Sequence, residues 1–182
     1  KGGWNISFVV KKQYVFKIRK FLKENVDVNR IMREKRITDV FKDVLPVQIP
    51  NIEILNVGQY TFFRYNYIRG VNLNTCSLQT MSIHIDEWAK TIANVIFIMH
   101  NSRPKDLKDL VNNDGDGWNH NDICNNIIID KKTKKIIGLI DWEYSGWGKL
   151  ETEIKNCDRF SQKLKKLCFS KKIEQEYNNL SK

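Results

Sequence analysis

The sequence predicts an α+β protein in two parts. Residues 1–69 form a small antiparallel β lobe with one helix, and residues 70–182 an abbreviated, mainly helical lobe. Three observations predict it. Short apolar runs punctuated by Pro, Gly and polar turns fill the first part, the signature of strands. In the second, Trp88, Ile92, Val95, Ile96 and Met99 recur at helical spacing. That part also holds a hairpin, Asn126–Ile129 and Ile136–Ile140 about a Lys/Thr/Asp turn, with Asp122 before its first strand and Asp141 after its second.

The opening KGGWNISFVV and YVFKIRK read as two strands around the polar turn KKQ. In the second strand Tyr14, Phe16 and Ile18 share one face and Val15, Lys17 and Arg19 the other. A lysine in mid-strand beside Val15 needs an anionic partner or a phosphate to reach. Asn29–Leu45 reads as an amphipathic helix with the stripe Ile37, Val40, Phe41 and Val44. Glu34 lies one turn earlier on that stripe, where a carboxylate facing the core needs a cation. Periodicity alone leaves open whether it does so or is a solvated charge of MREKR. Pro46 and Pro50 end the helix and lead into strands Ile52–Leu55 and Tyr60–Tyr65. The segment YNYIRGVNL then crosses to the second part, with Gly70 supplying the turn.

Ile85–His100 is the longest helical pattern, stopped by Asn101, Ser102, Arg103 and Pro104. The following NNDGDGW is a loop. Its D-x-D-G is no calcium loop, because the position that needs Glu is Asn125. After the hairpin, Ile154, Cys157, Phe160, Leu164 and Leu167 give one more helical stripe with Lys outside.

Composition narrows the function classes. A hydrophobic fraction of 41% with five Trp excludes a disordered chain. No apolar run approaches the ~20 residues of a membrane span, and no signal-peptide pattern opens the sequence. Cys76, Cys124, Cys157 and Cys168 are scattered without ligand spacing, so free thiols and a cytoplasmic setting are expected. The net charge of +10 is mostly dispersed Lys. It is read as solvation and attraction for nucleotide phosphates, with nucleic-acid binding the lesser expectation. Nothing in the sequence sets the oligomeric state.

Chemistry concentrates at the hairpin. Its two aspartates flank the same open end, so folding brings their carboxylates together beside Asn125 or Asn126. An oxygen-only donor set of this kind suits Mg²⁺ shared with substrate phosphates. The segment HNDICNNIIID followed by GLIDWEYSGWG resembles the catalytic and metal segments of the aminoglycoside phosphotransferase/choline kinase family, relatives of the protein kinases. The family pattern is H-x-D-x-x-x-x-N, an apolar strand, and an Asp from a second strand. This chain is one residue short, because the fifth residue after Asp122 is Ile127. Asn126 takes the family's Asn register, directly before the strand. Y-V-F-K is similar to the kinase V-A-I-K strand, YIRG to the hinge Y-I-P-G, and Met99-His100 to the Leu-His pair that ends the corresponding helix. Gly2, Gly3, Asn5 and Ser7 resemble the nucleotide loop.

The resemblance implies a two-lobed, protein-kinase-like fold and ATP- and Mg²⁺-dependent phosphorylation of a hydroxyl on a small molecule. Asp122 would be the catalytic base and His120 its brace. Asp141 and Asn126 would hold the metal. Lys17, fixed by Glu34, would hold the α/β-phosphates, and Val15, Tyr67 and Ile68 would line the adenine site. The family's long acceptor-binding insertion is reduced here to nineteen residues between His100 and His120. Trp142, Glu143, Tyr144 and Trp147 beside Asp141 would suit a cationic acceptor if their faces were free, and the core otherwise. The alternatives are a nucleotide-binding scaffold without turnover and a basic nucleic-acid-binding domain.

Overall fold

The computed structural model describes residues 5–19, 26–58, 60–159 and 161–182. Gly2 and Gly3 lie outside them, as does Phe160 of the expected C-terminal stripe. Strands β1 (Asn5–Val10) and β2 (Tyr14–Arg19) pair antiparallel about a turn in which Lys11 and Lys12 take positive φ. Helix α1 (Val26–Phe41) follows, then β3 (Glu53–Val57) and β4 (Tyr60–Asn66). The four strands form one antiparallel sheet in the order β1-β2-β4-β3. Alternation works as expected on β2: Val15 and Lys17 face inward, while Ile18 is exposed.

Helix α1 stops at Phe41, earlier than the apolar stripe implied, so Val44 is 53% exposed rather than packed. The buried face is instead Ile31, Glu34, Ile37, Thr38 and Phe41. Leu45, Val47 and Ile49 then run in an irregular segment across to the second part. There Gln48 exchanges backbone hydrogen bonds with Ile137 and Leu139, 2.9 Å each. Ile37, Phe41, Leu45, Val47 and Ile49 consequently join the larger core, while Val15, Ile31, Ile52, Phe63 and Tyr65 form a small cluster under the sheet.

The crossing at Gly70 is tight: a Cβ there would lie 2.5 Å from the Ile129 carbonyl oxygen. Strand β5 (Val71–Asn72) pairs with the hairpin, and α2 (Leu78–Asn101) forms the spine of the second part. α2 begins a full two turns before the expected start, because Ser77 caps it by accepting the Thr80 N–H at 3.1 Å. A 3-10 helix, Lys105–Leu110, leads to β6 (Gly117–Asn119), the one-turn α3 (Ile123–Asn126) and the hairpin β7 (Ile127–Ile129)/β8 (Ile136–Leu139). A 3-10 turn at Trp142–Tyr144 precedes β9 (Gly146–Gly148), which pairs with β6 in a ribbon.

The C-terminal stripe is a correction. It is not one helix but three, α4 (Leu150–Asn156), α5 (Gln162–Lys166) and α6 (Phe169–Leu180). Local polar groups set the breaks: Ser161 caps α5, and Asp158 accepts from both N and Oγ of Ser170 at the start of α6. Cys168 between them adopts left-handed φ. α6 packs Phe169, Ile173 and Tyr177 into the large core beside α2. No described helix is long and apolar enough to cross a membrane.

His100 ends α2 in a structural role. Its Nε2 meets Asp116 Oδ1 at 2.8 Å and its Nδ1 meets the Tyr177 hydroxyl at 3.2 Å, tying α2, β6 and α6 together. Gly117 lies flat against this histidine, and a Cβ there would overlap the ring. Gly117→Ala is therefore expected to destabilise the protein by about 1–3 kcal/mol through overpacking. Urea denaturation would measure this as a lower midpoint at unchanged slope.

Candidate active site

The first half of the site is a buried ion triad. Lys17 is 5% exposed and Glu34 4%, and their Nζ–Oε1 distance is 3.3 Å. The same ammonium forms an ion pair with Asp141 Oδ1, and it lies 5.4 Å over the Phe63 ring. Burial alone would lower the Lys17 pKa, but the carboxylates of Glu34 and Asp141 outweigh it and hold the lysine well above its ordinary value. Lys17 is thus a fixed cation. Glu34 Oε1 also accepts the Trp142 N–H at 3.2 Å. One carboxylate therefore ties strand β2, helix α1 and the residue after Asp141. The lysine–glutamate pair that periodicity left open is present.

The second half is the loop between β6 and β7. His120 is fully buried; its Nε2 lies 3.0 Å from the Ile140 carbonyl and its Nδ1 3.3 Å from the Asp122 N–H. This bonding assigns the neutral tautomer with the proton on Nε2. Burial depresses its pKa to about 4, in keeping with a neutral ring packed edge-on against Trp142. His120 therefore positions Asp122 against the end of β8 and does not exchange protons near neutrality.

Asp122 stands at the start of the single helical turn α3. Spacing i to i+4 stacks Asn126 above Asp122. Asn126 Nδ2 donates to the Asp122 carbonyl (2.8 Å) and to its Oδ2 (3.0 Å), while Asn125 Nδ2 donates to Oδ1 (2.7 Å). Burial raises the Asp122 pKa, the two amides draw it back, and the nearby Asp141 carboxylate raises it again; the net direction is upward. The two aspartates do converge at the open end of the hairpin. Asp141 itself holds left-handed φ, and its carboxylate is 40% exposed.

Sequence reasoning missed Glu153. It is buried on α4, and its two oxygens accept consecutive N–H groups of the loop between β6 and α3, His120 at 3.0 Å and Asn121 at 2.7 Å. Asn121 has φ 67°, and the carboxylate holds that strained turn. Burial pushes the Glu153 pKa up to about 7, against the pull of the two N–H groups. Its only sequence signal was a glutamate on the Ile154 side of α4.

In the connection between the parts, Val15 is buried facing the small cluster, and Ile68 is buried against Gly138, whose Cβ would lie 2.8 Å from Ile68 Cγ2. Tyr67 spends its N–H on the Gln13 carbonyl at 2.8 Å. Ser7 lies on β1 opposite Lys17. Of the two settings open to the aromatic cluster beside Asp141, both indoles take the core. Trp142 is fully buried between Phe41 and His120, and Trp147 packs on Trp118 with Arg103 over its ring. Tyr144 is 53% exposed, and Glu143 and Trp147 are half-buried.

This site sits in a fold that solved structures share. A streptomycin–ATP ternary complex of the aminoglycoside phosphotransferase APH(2'')-IIa superposes over 98% of this chain and 76% of that one, with 18% identity and TM-score 0.69. The GDP complex of aminoglycoside 2'-phosphotransferase-IIIa covers 98% and 75%, with 12% identity and TM-score 0.76. Macrolide 2'-phosphotransferase type I covers 98% and 76%, with 12% identity and TM-score 0.62. No protein-family model and no curated protein sequence matches this chain. The chain has the two-lobed, protein-kinase-like fold of the antibiotic phosphotransferases.

Glu153 and His120 give opposite pH dependences. A depressed histidine pKa stabilises the fold above pH ~6.5 and loses that contribution as pH falls toward 4. A raised glutamate pKa contributes stability at low pH that is lost as pH rises through about 7. In the wild type the two trends offset each other. Glu153→Gln removes one, so on acidification from pH 7 to 4.5 the variant should lose up to about 3 kcal/mol more than the wild type. Denaturant titrations across that range measure the difference, and parallel curves for the two proteins would contradict the clamp.

Proposed function

We propose that this chain is a phosphotransferase of the aminoglycoside phosphotransferase/choline kinase family that uses ATP and Mg²⁺ to phosphorylate a hydroxyl of a small molecule. The observation that carries the reading is Lys17 held between Glu34 and Asp141, opposite the Asp122–Asn126 turn. A buried lysine with two carboxylates is costly unless it is poised for an anion of higher charge, and a nucleotide's phosphates are such an anion. Lys17 would move from Asp141 to the phosphates while keeping Glu34.

Asp141 and Asn126 would hold the magnesium ion, which supplies neutralisation of phosphate charge. Their arrangement fits: the Asp141 carboxylate is partly open, and Asn126 turns its Nδ2 to Asp122 while its Oδ1 accepts no hydrogen bond among the described residues. Asp122 would accept the acceptor's proton. Both its oxygens already take amide N–H groups, which orient the carboxylate, and each keeps a lone pair for a hydroxyl. His120 and Glu153 position that loop without touching substrate. The Ile68 backbone would meet the adenine, since the Tyr67 N–H is engaged, and Val15 would flank the ring. The nucleotides named with the structural neighbours include ATP and GDP, so the base is part of the proposal.

Thermal shift with ATP·Mg²⁺ and GTP·Mg²⁺ tests binding. Saturating nucleotide should stabilise the wild type by about 3 kcal/mol at a hundredfold excess over Kd. Lys17→Ala should lose most of that shift, and equal shifts in both proteins would remove Lys17 from the site. For turnover, Asp122→Asn should lower acceptor-independent nucleotide hydrolysis at least ~100-fold. Asn126→Ala should abolish it, and Asn125→Ala only weaken it. If Asn125→Ala is the dead variant, the assignment of the metal amide moves to Asn125. Nucleotide binding without any wild-type turnover would leave a binding scaffold as the function.

A further inference from the structure

On the β6/β9 ribbon, away from Lys17 and the sheet, the structure carries a feature that phosphoryl transfer does not use. Five buried side-chain polar atoms lack a hydrogen-bond partner among the described residues, and four of them belong to Trp118, Asn119, Ser145 and Trp147. Trp118 and Trp147 are directly paired in the ribbon register. Their indole N–H groups are donors only, and neither has an acceptor among the described residues.

These two rings form the floor of a cleft of about 460 Å³, walled by Val111 and by the basic 3-10 segment carrying Lys105 and Lys108, with Arg103 at the rim. That volume is within the range of small-molecule sites. The charge is one-sided: three cations line the cleft and no acid does. Lys105 and Lys108 are exposed and form no ion pair among the described residues. Of the acids near them, the exposed Asp106 gives Arg36 only its carbonyl, and the other two are engaged elsewhere. Asp109 is bound by Arg36, and Asp116 by His100 and the Leu150 N–H. Arg103 is stacked 4.8 Å over Trp147 and pinned by the carbonyls of His100, Ser102 and Asp116. The rim is therefore built before any ligand arrives.

From these observations we infer that the Trp118/Trp147 cleft is a binding site for a small amphipathic carboxylate. The apolar or aromatic body lies against the indole wall, and the carboxylate is taken by Lys105 and Lys108. A cationic molecule is repelled, which separates this site from any amine-bearing acceptor at Asp122. The ribbon under the cleft runs directly into His120 on one strand and follows the Asp141 turn on the other, so an occupant sits on the element that joins the catalytic and metal loops.

The test does not depend on phosphoryl transfer. Binding of 4-phenylbutyrate, the neutral 4-phenylbutan-1-ol and the cationic 4-phenylbutylamine is followed by tryptophan fluorescence and by calorimetry. The carboxylate should saturate, the alcohol should bind about tenfold more weakly, and the amine should not saturate. Lys105→Glu/Lys108→Glu, two exposed unpaired positions, should weaken the carboxylate at least about tenfold while melting temperature and nucleotide thermal shift stay at wild-type values. The site is overturned if acid and alcohol bind alike, if the double variant binds the acid unchanged, or if no saturation occurs in the millimolar range. It is likewise overturned if sedimentation shows a dimer whose dissociation is required for the probe to bind, because the cleft is then an interface between copies.

Discussion

The structure depends on a lysine kept charged inside the protein. Lys17 has almost no contact with water, and the two carboxylates that neutralise it come from residues 17 and 124 positions away along the chain. Lys17 itself is not dispensable, because removing it would leave Glu34 a buried carboxylate without a cation. That demand fixes three things at once. β2 must present Lys17 inward, α1 must present Glu34 toward it, and the hairpin must end with Asp141 beside both. Glu34 adds the Trp142 N–H, so the loop after Asp141 is held by the same carboxylate that holds the lysine.

The opposite side of the cleft is held by backbone rather than by charge pairs. Glu153 receives two consecutive N–H groups, His120 bridges to the end of β8, and α3 brings two amides onto Asp122. The loop so held presents the Asp122 carboxylate, whose pKa burial raises.

How much of this was legible in the sequence follows from what each residue's partner is. Lys17 stood out because alternation placed a charge on an apolar face, and Glu34 because helical spacing placed it on a stripe. Asp122 and Asp141 were legible as the borders of two apolar runs. Glu153 was not, since its partners are backbone N–H groups that leave no mark in the residue types, and it sits among other charged helix residues. The breaks between α4, α5 and α6 were missed for a similar reason. A continuous apolar stripe outweighed the cap signals of Ser161 and Asp158, although those local bonds decide where a helix stops. The aromatic cluster left two settings open, and burial decided between them: Trp142 is fully buried and Trp147 packs on Trp118 against the large core.

Helix α1 has a mechanical consequence. Its inner half shares the large core, and Arg36 fastens it to the Lys105–Leu110 segment through Asp109 and the Asp106 carbonyl. The β-sheet has only its small separate cluster beneath it. Apart from Ile31, which joins that small cluster, the buried apolar residues of α1 belong to the larger core. Lys17 on the sheet and Glu34 on the helix are joined across that boundary, so separating the two elements would require breaking a buried salt link.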